Sequence, residues 1–164
     1  MFDIVIYPNP VLRREAEAVT EFDASLHTFL NEMEETMYEK DGAGLAAPQV
    51  GVSKQIIVLD PGNGPIRLMN PKIIKKSDET EPLEEGCLSL PDIQVNVTRP
   101  NSVVVEGIDE NGKSITYSAE GFAAKVFQHE IDHLNGKLII DYLSPLKRSL
   151  MKSKIRKLET LANS

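Results

Sequence analysis

The stretch Phe127-Gln128-His129-Glu130-Ile131-Asp132-His133-Leu134 sets two histidines four residues apart with a glutamate directly after the first. On a helix, residues i and i+4 stand one above the other on the same face. Two imidazoles held that way can share a metal ion, and the adjacent Glu130 can exchange a proton with water at that ion. The residues around it support a helix. Phe122, Val126, His129 and His133 fall on one stripe of a segment from about Ala119 to Leu134, so the histidines point inward with the apolar face. Ser118 is placed to cap this segment, and Asn135-Gly136 to stop it.

Working outward, Asp109-Glu110-Asn111-Gly112 separates Val103–Ile108 from Ser114–Tyr117. Asn-Gly between two β-rich runs predicts a hairpin. Gln55–Asp60 is a β-branched run bounded by Pro61-Gly62 and reads as a buried strand. Ile66–Ile74 reads as a strand pair broken at Pro71. The acidic residues 78–86 read as a solvated edge or loop. Asp23 caps a predicted helix to about Glu39, with Leu26, Phe29, Leu30, Met33 and Met37 at helical spacing. His27, in its first turns, reads as an ordinary boundary histidine. Tyr7-Pro8-Asn9-Pro10 is an extended or turn segment, and Leu138-Ile139-Ile140 a short extended one. Ser144-Pro145 starts a last helix. Together these predict an α+β fold: antiparallel or mixed β-sheets around a central metal-binding helix, with an N-terminal and a C-terminal helix.

Bulk properties bound the function. At 164 residues, 41% hydrophobic and 26% charged, the chain suits one soluble domain. A net charge of -7 argues against binding DNA through bulk electrostatics. No apolar run is long enough to span a bilayer, and the first residues lack the features of a signal peptide. The lone cysteine, Cys87, excludes an internal disulfide and suits a reducing, cytoplasmic setting. From Ser144 to Ser164 there are six basic residues and one acid, a local +5. Residues 1–143 therefore read as the catalytic domain and 144–164 as a basic helical extension, either solvated or docked on a polyanion.

A hydrolytic metal site needs a third protein ligand and an open position. A third histidine six residues after His133 would fall at Ile139. Glu159 lies in the basic tail, and His27 is poorly placed. Cys87, in the Gly-flanked tract Glu85-Gly86-Cys87-Leu88-Ser89, is the better candidate, as a thiolate. Oxyanion donors are also required, and Gln49 with the N–H of Leu88 supplies them. The tract Gly42-Ala43-Gly44-Leu45-Ala46-Ala47-Pro48-Gln49, rich in small residues, reads either as a tight connector or as backbone approached closely by a ligand.

Gly42–Gln49, Glu85–Ser89 and Gln128–His133 resemble, in order and spacing, the three signature motifs of the peptide deformylases. The likeness extends to the Tyr7–Pro10 start and the basic C-terminal helix. It implies an enzyme that removes the N-formyl group from the initiator methionine of nascent polypeptides. It also implies Cys87, His129 and His133 as ligands of one divalent metal, usually Fe(II), with Zn, Ni or Co accepted. Glu130 becomes the acid/base, with Gln49 and Leu88 N–H at the oxyanion. Gly44 and Ala43 would line the peptide, and Phe122 and Val126 the methionine pocket. Glu85 would pair with Arg99 behind the site. Ala43, Gln94 and Lys125 depart from residues common in the family. The tail resembles those of Gram-negative members, which can dock on the ribosome, here through Lys152, Lys154 and Arg156. The competing readings are a zincin-type metalloprotease and an inactive metal-binding, ribosome-associated protein.

Overall fold

The computed structural model describes residues 1–162. After a 3-10 turn at Pro10–Arg13, helix α1 spans Ala24–Glu39, and the Asp23 carboxylate accepts the Leu26 N–H at 3.1 Å to cap it. There follow β1 (Gly44–Ala46), a 3-10 turn (Ala47–Val50), β2 (Ile56–Leu59), β3 (Ile66–Lys76), β4 (Thr80–Cys87), β5 (Leu90–Pro100), β6 (Ser102–Ile108) and β7 (Ser114–Glu120). Helix α2 covers Gly121–Leu134. A 3-10 turn (Ile139–Tyr142), α3 (Pro145–Leu150) and α4 (Lys152–Ala162) complete the described chain. No helix among the described residues is long and apolar enough to cross a membrane.

Five strands form an antiparallel sheet in the order β1-β2-β3-β6-β7, while β4 and β5 form a separate antiparallel hairpin. Strand β2 shows how the sheet is held. All four residues are buried. Ile56 and Val58 face α1, meeting Leu30, Met33 and Met37. Ile57 and Leu59 face the other way, onto Phe127, Ile131 and Leu134 of α2. A period of two in the strand thus places one helix on each face. A third cluster joins Ile93, Val95 and Val97 of the hairpin to Leu12, Ile139, Ile140, Ile155 and Leu158. Helix α2 therefore lies between the five-stranded sheet and the hairpin.

Several boundaries differ from the sequence expectations. Ser118 does not cap α2. It pairs with Val104, and β7 continues to Glu120. The chain enters the helix through Gly121 at φ +61°, a region open to glycine. Strand β3 is continuous through Pro71. The ladder to β6 shifts register between Met69 and Lys72, and Asn70, at φ +52°, uses its amide to bind both Val19 backbone groups. The irregularity is a bulge, which tolerates a proline without an N–H. The acidic residues 80–87 form β4, with most charges on its outer face. Residues 138–140 lead into a 3-10 turn. The tail is two helices meeting at Met151, and Ile155 and Leu158 of α4 are buried against the hairpin cluster.

The N-terminal segment is fastened by Arg13, whose guanidinium donates to both Asp141 oxygens at 2.6 and 3.0 Å. Burial alone would raise the Asp141 carboxyl, but bonds from Arg13 and the Leu138 N–H hold it below its ordinary value. A carboxyl depressed in the folded state contributes stability above its unfolded pKa of about 3.9, and loses it as the pH falls through the folded value. Urea titrations of wild type and Asp141→Asn are expected to differ at pH 7 and to converge as the pH drops below about 4. A gap independent of pH would show that the bridge does not contribute through its charge.

Candidate metal centre

Two elements build the site. Helix α2 presents His129 and His133 one turn apart with Glu130 directly after the first, and β4 ends at Cys87 as the hairpin turns. Ligand atoms of Cys87, His129 and His133 all lie within 4.8 Å of one another. The Cys87 Sγ stands 3.4 Å from Nε2 of His133. Bond lengths of about 2.3 Å to sulfur and 2.0–2.1 Å to nitrogen at a tetrahedral angle give an S–N edge of about 3.5 Å, so this pair fits one shared ion. A thiolate and two imidazoles suit a transition metal. Only three protein donors converge among the described residues, which is the open pattern of a catalytic site and not the closed four-ligand pattern of a structural one.

The charges behind the site set the chemistry of these donors. His129 Nδ1 donates to Glu85 Oε1 at 2.9 Å, which leaves Nε2 as the free lone pair. Burial pushes the His129 imidazolium down, but bonds to Cys87 and Glu85 and the Glu130 charge raise it well above its ordinary value. Burial lowers His133, and the charges of His129 and Arg99 lower it further. Arg99 donates to both Glu85 oxygens at 2.7 and 2.9 Å, to Asp132 at 2.9 Å and to the Tyr142 hydroxyl at 3.2 Å. Tyr142 in turn donates to Asp132 at 2.6 Å. Burial would raise the Glu85 carboxyl, yet the bonds from His129 and Arg99 hold it below its ordinary range.

Glu130 is buried, and its Oε1 has no hydrogen-bond partner. Burial pushes this carboxyl up to about 7. Its position depends on Gly44: a Cβ there would lie 2.5 Å from Glu130 Oε2 and 2.8 Å from Glu130 Cγ. The glycine is thus required by the carboxylate behind it, a constraint that the tract's composition did not reveal. Gln49, 2% exposed, accepts the Ala46 N–H through Oε1 at 3.0 Å. Its Nε2 donates to Ser89 Oγ at 3.2 Å and, weakly, to Cys87 Sγ at 3.5 Å.

These groups open onto a cavity of about 370 Å³. It is lined by Ala43, Gly44, Leu88, Phe122, Val126 and Lys125 besides Gln49, Cys87, His129 and Glu130. Phe122 stands at the rim, 52% exposed, and Val126 lies deeper. Lys125 is buried, with its Nζ donating to the carbonyl oxygens of Glu81 and Arg99, partners across the β4–β5 ladder. Its head ties α2 to the hairpin while its stem contributes to the pocket wall. Sequence reading marked Lys125 as unusual but did not give it this role. It also missed Asp132, Tyr142 and Ser89. Asp132 lies inside the quoted motif on the helix face turned toward Arg99, but without the fold nothing identifies its partner. His27 lies apart from the centre, against the Glu110 carbonyl. Ile139 is buried in the hairpin's apolar cluster.

Three convergent donors, an unpartnered buried carboxyl and an open pocket define a metal-dependent hydrolase. The family profile for polypeptide deformylase matches residues 1–149, and the chain belongs to that family, whose members are metal-dependent and remove the formyl group from nascent chains. The peptide deformylase of Thermotoga maritima is 49% identical over 155 residues, covering 94% of each chain. A crystal structure of peptide deformylase from Thermotoga maritima superposes with a TM-score of 0.86 at 50% identity, covering 88% of this chain and 99% of that one. Peptide deformylase 1B of Arabidopsis thaliana, solved with an inhibitor, gives 0.93 at 39% identity, covering 98% and 92%.

Arg99 neutralises two carboxylates in a dry interior. Arg99→Met is expected to destabilise the fold by about 3–5 kcal/mol, because Glu85 and Asp132 lose the cation that neutralises them. Urea unfolding reads this directly, and a loss under about 1 kcal/mol would mean that water replaces the guanidinium.

Proposed function

We propose that Cys87, His129 and His133 hold one divalent metal ion and that the site deformylates the N-formylmethionyl ends of nascent polypeptides, releasing formate. The observation that carries this reading is the convergence of the three donors beside the unpartnered Oε1 of Glu130. When bound, the ion supplies Lewis acidity toward the formyl oxygen and toward water. Ligand type fits Fe(II), Zn, Ni and Co alike. Fe(II) is the native choice implied by the family resemblance.

Glu130 takes the proton of the attacking water and passes it to the methionine nitrogen as the C–N bond breaks. A carboxyl that burial pushes up to about 7 is matched to both halves of that transfer. The Gln49 amide and the Leu88 N–H donate to the oxygen that becomes negative. Gln49 can do so by giving up only its 3.5 Å contact to sulfur, because the Ser89 and Ala46 bonds hold the amide plane. Strand β1 is an edge strand, paired among the described residues only with β2. The outer backbone groups of Gly44 are thereby available to an extended peptide. Ala43, Phe122 and Val126 receive the methionine side chain, and Glu85 with Arg99 orients His129.

Residues 1–143 hold every one of these groups, and 144–164 form the basic extension. Lys152, Lys154 and Arg156 are exposed on α4, which supports docking on ribosomal RNA. The free thiol of Cys87 suits the cytoplasm.

With Fe(II) loaded without oxygen, the protein is expected to release formate from formyl-Met-Ala-Ser. Glu130→Gln should retain one metal per chain while kcat falls by about a hundredfold or more. Cys87→Ala should lose the metal. Formate release by Glu130→Gln at the wild-type rate would remove Glu130 from the chemistry. For ribosome docking, truncation would strip Ile155 and Leu158 from the core, so charge reversal is the cleaner test. Lys152→Glu, Lys154→Glu and Arg156→Glu together should weaken cosedimentation with ribosomes and leave peptide kinetics intact. Unchanged cosedimentation would rule the tail out as the anchor.

A further inference from the structure

Beside the metal pocket lies a second groove of about 470 Å³. Glu84, Gln94 and Asn96 of the hairpin form one side, and Lys147, Leu150 and Met151 of the α3–α4 corner the other. The two cavities share Glu84. Gly86 lines the metal pocket and stands opposite Gln94 in the ladder, as Glu84 stands opposite Asn96. Alternation along the strands puts these four residues on one face of the hairpin. No atom lies within 4 Å of the place a Cβ would take on Gly86. Gly86 therefore places no side chain between the two cavities at this point.

We propose that this groove binds the part of the nascent polypeptide that follows the formylmethionine, as a downstream continuation of the substrate site. The inference rests on the deformylase reading above. Its chemistry suits an occupant whose sequence varies from one substrate to the next. Gln94 and Asn96 each offer donors and an acceptor, which match a peptide backbone whatever its side chains. Met151 is flexible and polarizable, and Leu150 is 74% exposed at the groove's edge, so both adapt to different apolar residues. Glu84 and Lys147 give one charge of each sign and select for neither. Glu84 precedes Cys87 by three residues, roughly 10 Å of extended strand. Roughly the third to sixth residues of a bound chain would reach the groove.

The test uses the full-length, metal-loaded enzyme with formyl-Met-Ala-Ser and a nonapeptide that begins with the same three residues and continues with apolar ones. The nonapeptide's KM is expected to be lower by about threefold or more at unchanged kcat, since binding remote from the reacting bond acts equally on ground and transition states. Leu150→Ser should abolish that difference while the tripeptide's kcat/KM stays at the wild-type value. A photo-reactive benzoylphenylalanine at the fifth residue of the nonapeptide should cross-link to the α3–α4 corner. Equal KM values for the two peptides with wild type, or a cross-link elsewhere, would overturn the proposal. So would a Leu150→Ser defect of the same size on both peptides. If neither peptide releases formate, the catalytic reading fails, and the cross-link then decides the groove on its own.

Discussion

The buried guanidinium of Arg99 holds the site together. It is 3% exposed, and its donors reach Glu85 on β4, Asp132 on α2 and Tyr142 after α2. A charge in such a place is tolerable only when every partner is present and aligned. The same bonds that satisfy it fix the Glu85 carboxylate against His129, which sets the tautomer of a candidate metal ligand. Structural neutralisation and control of the donor nitrogen are thus one interaction.

This matters because, among the described residues, the hairpin β4–β5 shares no ladder with the five-stranded sheet. Backbone hydrogen bonding does not set its distance from α2. Side chains do so: the apolar cluster around Ile93, Val95 and Val97, the Arg99 network, and the Lys125 head on two hairpin carbonyls. One donor, Cys87, rides on the hairpin, and the other two ride on α2. The spacing between sulfur and nitrogen is therefore a tertiary quantity, fixed by buried polar contacts whose directionality apolar packing alone would lack.

Elements with strong local periodicity were legible in the sequence. The stripe of Leu26, Leu30, Met33 and Met37 gave α1, Asn111-Gly112 gave the β6–β7 hairpin, and the spacing of His129 and His133 gave the face of α2. The β4–β5 hairpin was not recognised, although Ile93, Val95 and Val97 alternate with Asp92, Gln94 and Asn96 as a half-buried strand should. Its partner strand reads as a charged loop, since Glu81 and Glu84 point outward and the buried Glu85 looks no different from them in one dimension. For the same reason Asp132 and Tyr142 could not be assigned: their roles arise from contacts with Arg99 across 33 and 43 residues. Gly44 is visibly small in the sequence, but the carboxylate that demands its smallness is 86 positions away in the chain.

The division of the donor set between hairpin and helix also imposes an order in time. A ribosome makes Cys87 first, and His133, its neighbour at 3.4 Å, is added 46 residues later. Throughout that interval the growing chain carries a thiol without its imidazole neighbour. For the proposed donor set, metal acquisition is consequently a late event in biogenesis, since no chain shorter than 133 residues carries all three donors.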